Sequence, residues 1–420
     1  KKAGEILEKV YVTGIGITGP CGNTAKEFWD GLLSGKSFIS TLSGINKDIF
    51  PSNIGGMVKN ITPEKYFSRR LLNKCSRFSV LSLLACNEAL GDAGIDMTSY
   101  DKTRIGIFVG NNSGGWESAN NGLKVLHREG PQYISPFLAS NWFPAAPQGH
   151  ISLAFGIKGY SKTVISDRVS GLLAIAYAAR TIRAGLIDAA IVGGVETPLD
   201  EWALQFYHSS GILCSSYETP EKAYRPFDRR KQGMVLAEGA AFMVLESAES
   251  VRKRNAGERV RANIREFCMV YDGTTNAEPD TKVEQYKRAI DTAIKRSVVN
   301  PDDIRLICPD GTAVEEDDMV EVRALNEYWG SKSMDKYCTC PKASFGNTIG
   351  AASAFDAVLS ILSMNTSTLP FISNLEDEGN CRGLNFVKKE NIRATINSSL
   401  ILSRGFGGVA AAMVINNREF

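Results

Sequence analysis

The chain has 420 residues, 43% hydrophobic and 22% charged, with a net charge of +2. It is long enough for a large core in two domains or two fused halves, and its charge balance gives no case for nucleic acid or a membrane surface. No apolar run approaches the roughly 20 residues of a membrane span, and KKAGEILEKVYV is too polar for a signal peptide, so a cytoplasmic protein is expected. The nine Cys predict reduced thiols, with only Cys338 and Cys340 close together. His127, His150 and His208 lie far apart, so neither a metal site nor a cofactor is expected.

In chain order, KVYVTGIGI reads as a strand running into a glycine turn. AKEFWDGLLSG has helical spacing, with Phe28, Trp29, Leu32 and Leu33 on one side and a glycine stop. RFSVLSLLACNEALGDAGI is a long amphipathic helix. RIGIFVG and DAAIVGGVE are short apolar runs closed by glycines, as buried parallel strands require. GLLAIAYAARTIRAG (171–185) is a helix of small apolar residues, expected deep in the core. The order then repeats with VEQYKRAIDTAIKRS as an amphipathic helix, RLICPDG as a strand and turn, and GAASAFDAVLSILSM as a second Ala-rich helix. Two α/β halves, 1–255 and 256–420, are expected.

Some strings carry no function. GLLSGKS (Gly31 to Ser37) is one residue short of a phosphate loop and follows a helix. GIGITG lacks the rest of a dinucleotide fingerprint. CTC at 338–340 is read as strand packing.

Four segments point elsewhere: FDRRKQGMVLAEGAAFMVLE (Phe227 to Glu246), DGTAVEEDDMVE (Asp310 to Glu321), KASFGNTIGAAS (Lys342 to Ser353) and GFGG (Gly405 to Gly408). Together they resemble the β-ketoacyl synthase family, from VYVTGIGI to the end of the chain. The resemblance implies a thiolase-like α/β/α/β/α sandwich with two mixed sheets, two pseudo-repeated halves and two buried central helices near 171–185 and 351–364. It also implies a catalytic Cys and two His, in positions that read Arg168, Asp310 and Asn347 here. An arginine has no accessible neutral form with which to attack a thioester. Asp310 would repel an oxyanion, and Asn347 cannot shuttle a proton. A guanidinium at the start of the 171–185 helix also faces the positive end of its dipole and needs compensation. Arg168 and Asp310 are expected to form a buried ion pair, with Asp167 as rival partner.

A narrower resemblance lies in GGWESANNGLKVLHREGP (Gly114 to Pro131) and SNWFPAAPQGHISL (Ser140 to Leu153). These are similar to the chain length factor, or ketosynthase β subunit, of type II polyketide synthases. There the Cys is usually Gln, so Arg168 departs from the pattern and any decarboxylating role of that Gln is not carried over. The resemblance implies a non-catalytic subunit that pairs with an active ketosynthase, meets acyl carrier protein, and shapes the tunnel that sets polyketide chain length. Trp116, Ala119 and Leu123 correspond to tunnel-lining positions, and their spacing puts them on one helix face. Ordinary core packing is the alternative for such a stripe. Lys342 is retained with Asp318 and Glu321; in the family this Lys pairs with acidic residues behind the active site, which implies a structural network. SKTVIS (Ser161 to Ser166) corresponds to a strand that pairs across the dimer axis. Two other functions stay open: malonyl-carrier decarboxylation for priming, and condensation with a displaced nucleophile such as Ser170 or Cys214.

Overall fold

The computed structural model describes residues 8–46, 48–50, 52–273 and 278–418. Eleven strands form its main sheet. They are β1 (Val10–Thr18), β2 (Ile105–Gly110), β3 (Lys162–Val164), β4 (Ala189–Glu196), β5 (Gly239–Ser247), β6 (Ala262–Tyr271), β7 (Ile304–Cys308), β8 (Tyr337–Cys338), β9 (Asn385–Phe386), β10 (Ser398–Gly405) and β11 (Val409–Asn417). Their spatial order is β9-β8-β7-β10-β11-β6-β1-β5-β4-β2-β3.

The order contains a repeat. From β1 outward, β5 and β4 add antiparallel, then β2 and β3 add parallel. From β6 outward, β11 and β10 add antiparallel, then β7 and β8 add parallel. One topology is therefore built twice, as the alternation of elements in the sequence implied. The two expected sheets are joined into one, however. β1 pairs antiparallel with β6 over Val10–Val12 and Ala262–Ile264. Each first strand exposes an edge to the other, and pairing these edges satisfies backbone groups that would otherwise be buried unbonded.

The helices used below are α1 (Ala25–Leu33), α2 (Arg77–Ala93), α3 (Trp116–Arg128), α4 (Ser170–Arg183), α5 (Glu201–Ser209), α6 (Pro279–Ser297), α7 (Glu315–Trp329) and α8 (Ala352–Thr366). α2 packs on β1 and β5, α6 packs on β6 and β11, and α4 and α8 lie against each other between the two half-sheets. This gives five layers. Strand alternation shows how the sequence encodes them. Along β5, Ala241, Met243 and Leu245 enter the central core, whereas Ala240, Phe242 and Val244 face the outer core under α2. Along β11, Val409, Ala411, Met413 and Ile415 face the centre, whereas Ala410, Ala412 and Val414 face the α6 side. Strands buried on both faces need apolar residues at every position, which explains the continuous runs in the sequence.

The small residues of the central helices also have a reason. A Cβ at Gly171 would lie 2.6 Å from the Ala354 backbone nitrogen, so only glycine lets α4 and α8 meet this closely. By length and composition, Ile349–Thr366 is apolar enough to cross a membrane, contrary to the expectation that no segment reaches that threshold. That window is 89% buried inside the protein, because this helix contacts both half-sheets.

Candidate functional site

The site is built where α4 begins. β3 leads into a tight turn in which Asp167 adopts a left-handed conformation, φ 48°. The Ser170 hydroxyl secures the turn by donating to the Asp167 carbonyl at 2.7 Å and accepting from the Ser166 N–H at 2.7 Å. Arg168 is thereby turned inward and is only 4% exposed. The Ser353 hydroxyl at the start of α8 donates to its carbonyl at 2.7 Å, which ties the two central helices together.

The Arg168 guanidinium meets three carboxylates. Nε donates to Asp310 at 2.9 Å, and the terminal nitrogens lie 3.4 Å from Asp167 and 3.6 Å from Asp317. Asp310 and Asp167 act together rather than as rivals, and Asp317 joins them from the first turn of α7. Burial opposes the Arg168 charge, but Asp310, Asp167 and Asp317 outweigh it and hold its pKa above the ordinary arginine value. The unfavourable helix dipole is thus compensated.

The same carboxylates fasten the glycine-rich loop after β10. Asp167 accepts the Phe406 N–H at 2.8 Å, and Asp310 accepts the Arg404 N–H at 3.3 Å. The Arg404 side chain pairs with Asp272. An open cleft of about 220 Å³ lies over this plug, with Arg168, Asp272, Lys282, Asp317 and Arg404 in its lining. Its cations are engaged: Lys282 pairs with Glu316, and the two arginines are paired as described.

The retained network sits directly behind. Lys342 pairs with Asp356 at 2.6 Å and donates to the Asp310 carbonyl at 2.8 Å. The lysine's acidic partner is on α8, and Lys342 and Glu321 meet at the Asp310 backbone. Burial opposes the Lys342 charge, but Asp356 offsets it and raises the pKa, so the amine stays protonated. Glu321 accepts the Asp310 and Gly311 N–H groups at 2.8 and 3.2 Å. Asp318 accepts those of Phe227 and Ala313 at 2.7 and 3.1 Å. Burial pushes Asp318 up to about 7 and Glu321 up to about 8. Both carboxylates hold backbone.

Asn347 is fully buried, 0% exposed. Its amide donates to the Tyr224 hydroxyl at 3.3 Å, and its carbonyl accepts the Ile349 N–H at 2.9 Å. The alternative nucleophiles fare no better. Ser170 is consumed by its turn, and Cys214 is buried, with burial pushing its thiol pKa up. A thiol held protonated is a poor nucleophile.

The α3 stripe is mixed in placement: Trp116 packs against the apolar cluster that contains Leu204 and Tyr207. Trp116 and Ala119 are half-buried, and Leu123 is 38% exposed. Trp116 packs edge-to-face on Phe206 of α5 at 5.7 Å. Together with Trp202, these rings border an open, largely apolar cleft of about 550 Å³ that also includes Gln205 and Ser209. β3 ends the sheet, with its outer edge unpaired among the described residues.

Sequence reasoning missed Asp317, Asp356, Arg404, Asp272, Trp202 and Phe206. Asp317 lies within the quoted DGTAVEEDDMVE segment, but nothing in that acidic run says which carboxylate turns inward. Arg404 directly precedes the quoted GFGG. Asp356 is a lone acid in an apolar helix, and that was its available signal, since such a group requires a partner.

Residues 7–250 match the beta-ketoacyl synthase N-terminal domain, and residues 261–376 match its C-terminal domain. The chain is 30% identical over 407 residues to the tetracenomycin polyketide synthase ketoacyl synthase beta subunit of Streptomyces glaucescens, covering 97% of this chain and 98% of that protein. It is 28% identical over 408 residues to 3-oxoacyl-[acyl-carrier-protein] synthase 2 of Coxiella burnetii, covering 97% and 98%. In fold it is similar to the ishigamide ketosynthase/chain length factor, with a TM-score of 0.89, 24% identity, and coverage of 98% of this chain and 100% of that one. A type II polyketide synthase ketosynthase structure with its acyl-carrier protein, bound to the hexaketide, gives 0.87 at 23% identity, covering 98% and 100%. The repeated topology and the two matched domains carry one conclusion: this chain belongs to the β-ketoacyl synthase family.

Proposed function

We propose that the chain is a non-catalytic ketosynthase β subunit, a chain length factor that pairs with an active ketosynthase and shapes the tunnel in which a polyketide grows. The observation that carries this reading is Arg168, locked among Asp310, Asp167 and Asp317 where the family places its nucleophile. A guanidinium cannot form a thioester, and an aspartate and an asparagine replace the imidazoles of acid–base catalysis. What the chain keeps is the frame, together with a half-exposed apolar stripe on α3 that a partner subunit would cover. The similarity to a ketoacyl synthase beta subunit supports the reading. Similar identity to 3-oxoacyl synthases shows that sequence identity alone does not separate the two roles. We also place the boundary between the halves near residue 255, in the segment before β6 where the repeated topology restarts.

The partners in this reading are a catalytic ketosynthase subunit and an acyl carrier protein bearing malonyl or polyketide chains. The test has three arms. Copurification with a cognate ketosynthase, and polyketide synthesis only by the pair, is the expected result. Carbon dioxide release from malonyl-loaded carrier protein by the isolated chain would replace the reading with a decarboxylase. An acyl-enzyme adduct on this chain would replace it with a condensing enzyme.

A further inference from the structure

Glu196 ends β4, and none of it reaches solvent. Its carboxylate accepts the backbone N–H groups of Asn112 at 2.7 Å, Ser113 at 3.0 Å and Gly350 at 3.1 Å, and also the Ser113 hydroxyl. Each of these donors is neutral; their oriented dipoles favour the charged form, but burial is the larger effect and pushes Glu196 up to about 7. The arrangement needs close approach: a Cβ at Gly350 would lie 2.5 Å from the Glu196 carboxylate. Asn112 and Ser113 belong to the short loop that launches α3. Gly350 belongs to the turn after Asn347, in the vacated site.

The link continues sideways. The Asn112 amide donates to the Tyr207 hydroxyl at 3.2 Å. Tyr207 packs at right angles on Phe206 at 5.4 Å, and Phe206 packs on Trp116 at 5.7 Å. Both helices that border the apolar cleft, α3 and α5, are therefore anchored through one buried carboxylate.

We propose that Glu196 is a positioning residue that sets where α3 and α5 place their cleft-facing side chains, and so tunes product length without touching the acyl chain. The proposal rests on reading Trp116, Ala119 and Leu123 as a tunnel wall. Two variants test it. Glu196→Gln keeps the shape but turns one acceptor into an NH2 group facing N–H donors. Asn112→Ala cuts only the lateral link to Tyr207 and keeps the backbone donor. Each is reconstituted with the cognate ketosynthase and malonyl-loaded carrier protein; assembled pair is quantified by sedimentation, and product masses are normalised to it.

The expected result is a distribution shifted or broadened by one or more two-carbon units per assembled pair. A merely structural role lowers the amount of pair and leaves the length unchanged. If Glu196→Gln does not fold, Asn112→Ala decides. Trp116→Ala and Ala119→Phe are run in parallel. If they shift length while neither Asn112→Ala nor a folded Glu196→Gln does, the positioning role is overturned and the tunnel stands. If none of them shifts length, the tunnel reading falls and the inference falls with it.

Discussion

Burying a guanidinium is costly unless its charge is matched, and at position 168 three carboxylates do the matching. Such a cluster need not stabilise the fold relative to apolar residues, but removing one member strands the rest. Arg168→Ala and Asp310→Ala should each lower stability by about 3–5 kcal/mol, read from denaturant midpoints. Arg168→Leu with Asp310→Leu should cost less than either single change, and a double variant as damaged as the sum would show that the ions are not coupled. Arg168→Cys alone should restore no condensation with malonyl-loaded carrier protein, because Asp310 and Asn347 supply no imidazole. Stability should also depend on pH. Burial raises Glu196 and Asp318 to about 7 and Glu321 to about 8, above their ordinary values of 4.5, 3.8 and 4.5. Their contribution is present in full below about pH 4 and is lost as pH rises through 7 to 8, because the unfolded chain releases these protons first. The Tm should therefore fall between pH 5 and 8.5, and Asp318→Asn should flatten the slope. An identical slope in the variant would mean that Asp318 is not the titrating group.

α3 has a polar outer side and an apolar stripe that only partly packs within its own chain. A stripe of this kind either meets a partner or is an aggregation hazard. Of the stripe, Trp116 lines the apolar cleft; in the proposed reading Trp116 and Leu123 act as wall residues and Ala119 leaves a gap between them. Ala119→Phe should shorten the product, because a packed wall cannot absorb a ring without strain. Trp116→Ala should lengthen the product or blur its length, with some loss of stability from the lost contact with Phe206. Mass spectrometry of products from the reconstituted pair measures both. Unchanged lengths from normally assembled variants would remove the chain-length role from this helix.

The five-layer sandwich leaves β3 as the last strand of its half-sheet, with exposed Ile165 just beyond it. Phe137, Trp142 and Phe143 are also exposed, all within the segment between α3 and β3. Unpaired edges beside apolar surface are template sites for another chain. The expected assembly pairs β3 with its counterpart in a catalytic ketosynthase and buries on the order of 2,000–5,000 Å², as obligate interfaces do. Sedimentation should find the pair. A monomer that stays monomeric beside its cognate ketosynthase would count against it.

The fold was legible because period-2 and period-3.6 patterns are local, and the same order of patterns occurs twice. The positions that the resemblance matches to the family's Cys and two His were legible because each sits in a short recognisable segment: Arg168 before Val-Ser-Gly, Asp310 before Gly-Thr, Asn347 after Gly346. The sequence could also propose that Arg168 and Asp310 meet, since unlike charges stood in facing positions of the resembled fold. It could not show that Asp317 and Asp167 share the guanidinium, or that Lys342 turns to Asp356 on α8 rather than to Asp318 and Glu321. Nor could it single out Glu196, which reads as the end of a strand until the loops carrying Ser113 and Gly350 converge on it. Those choices depend on which of several carboxylates points inward once helices from both halves pack together. Burial makes each unmatched charge expensive, and burial is a property of the assembled core rather than of any segment.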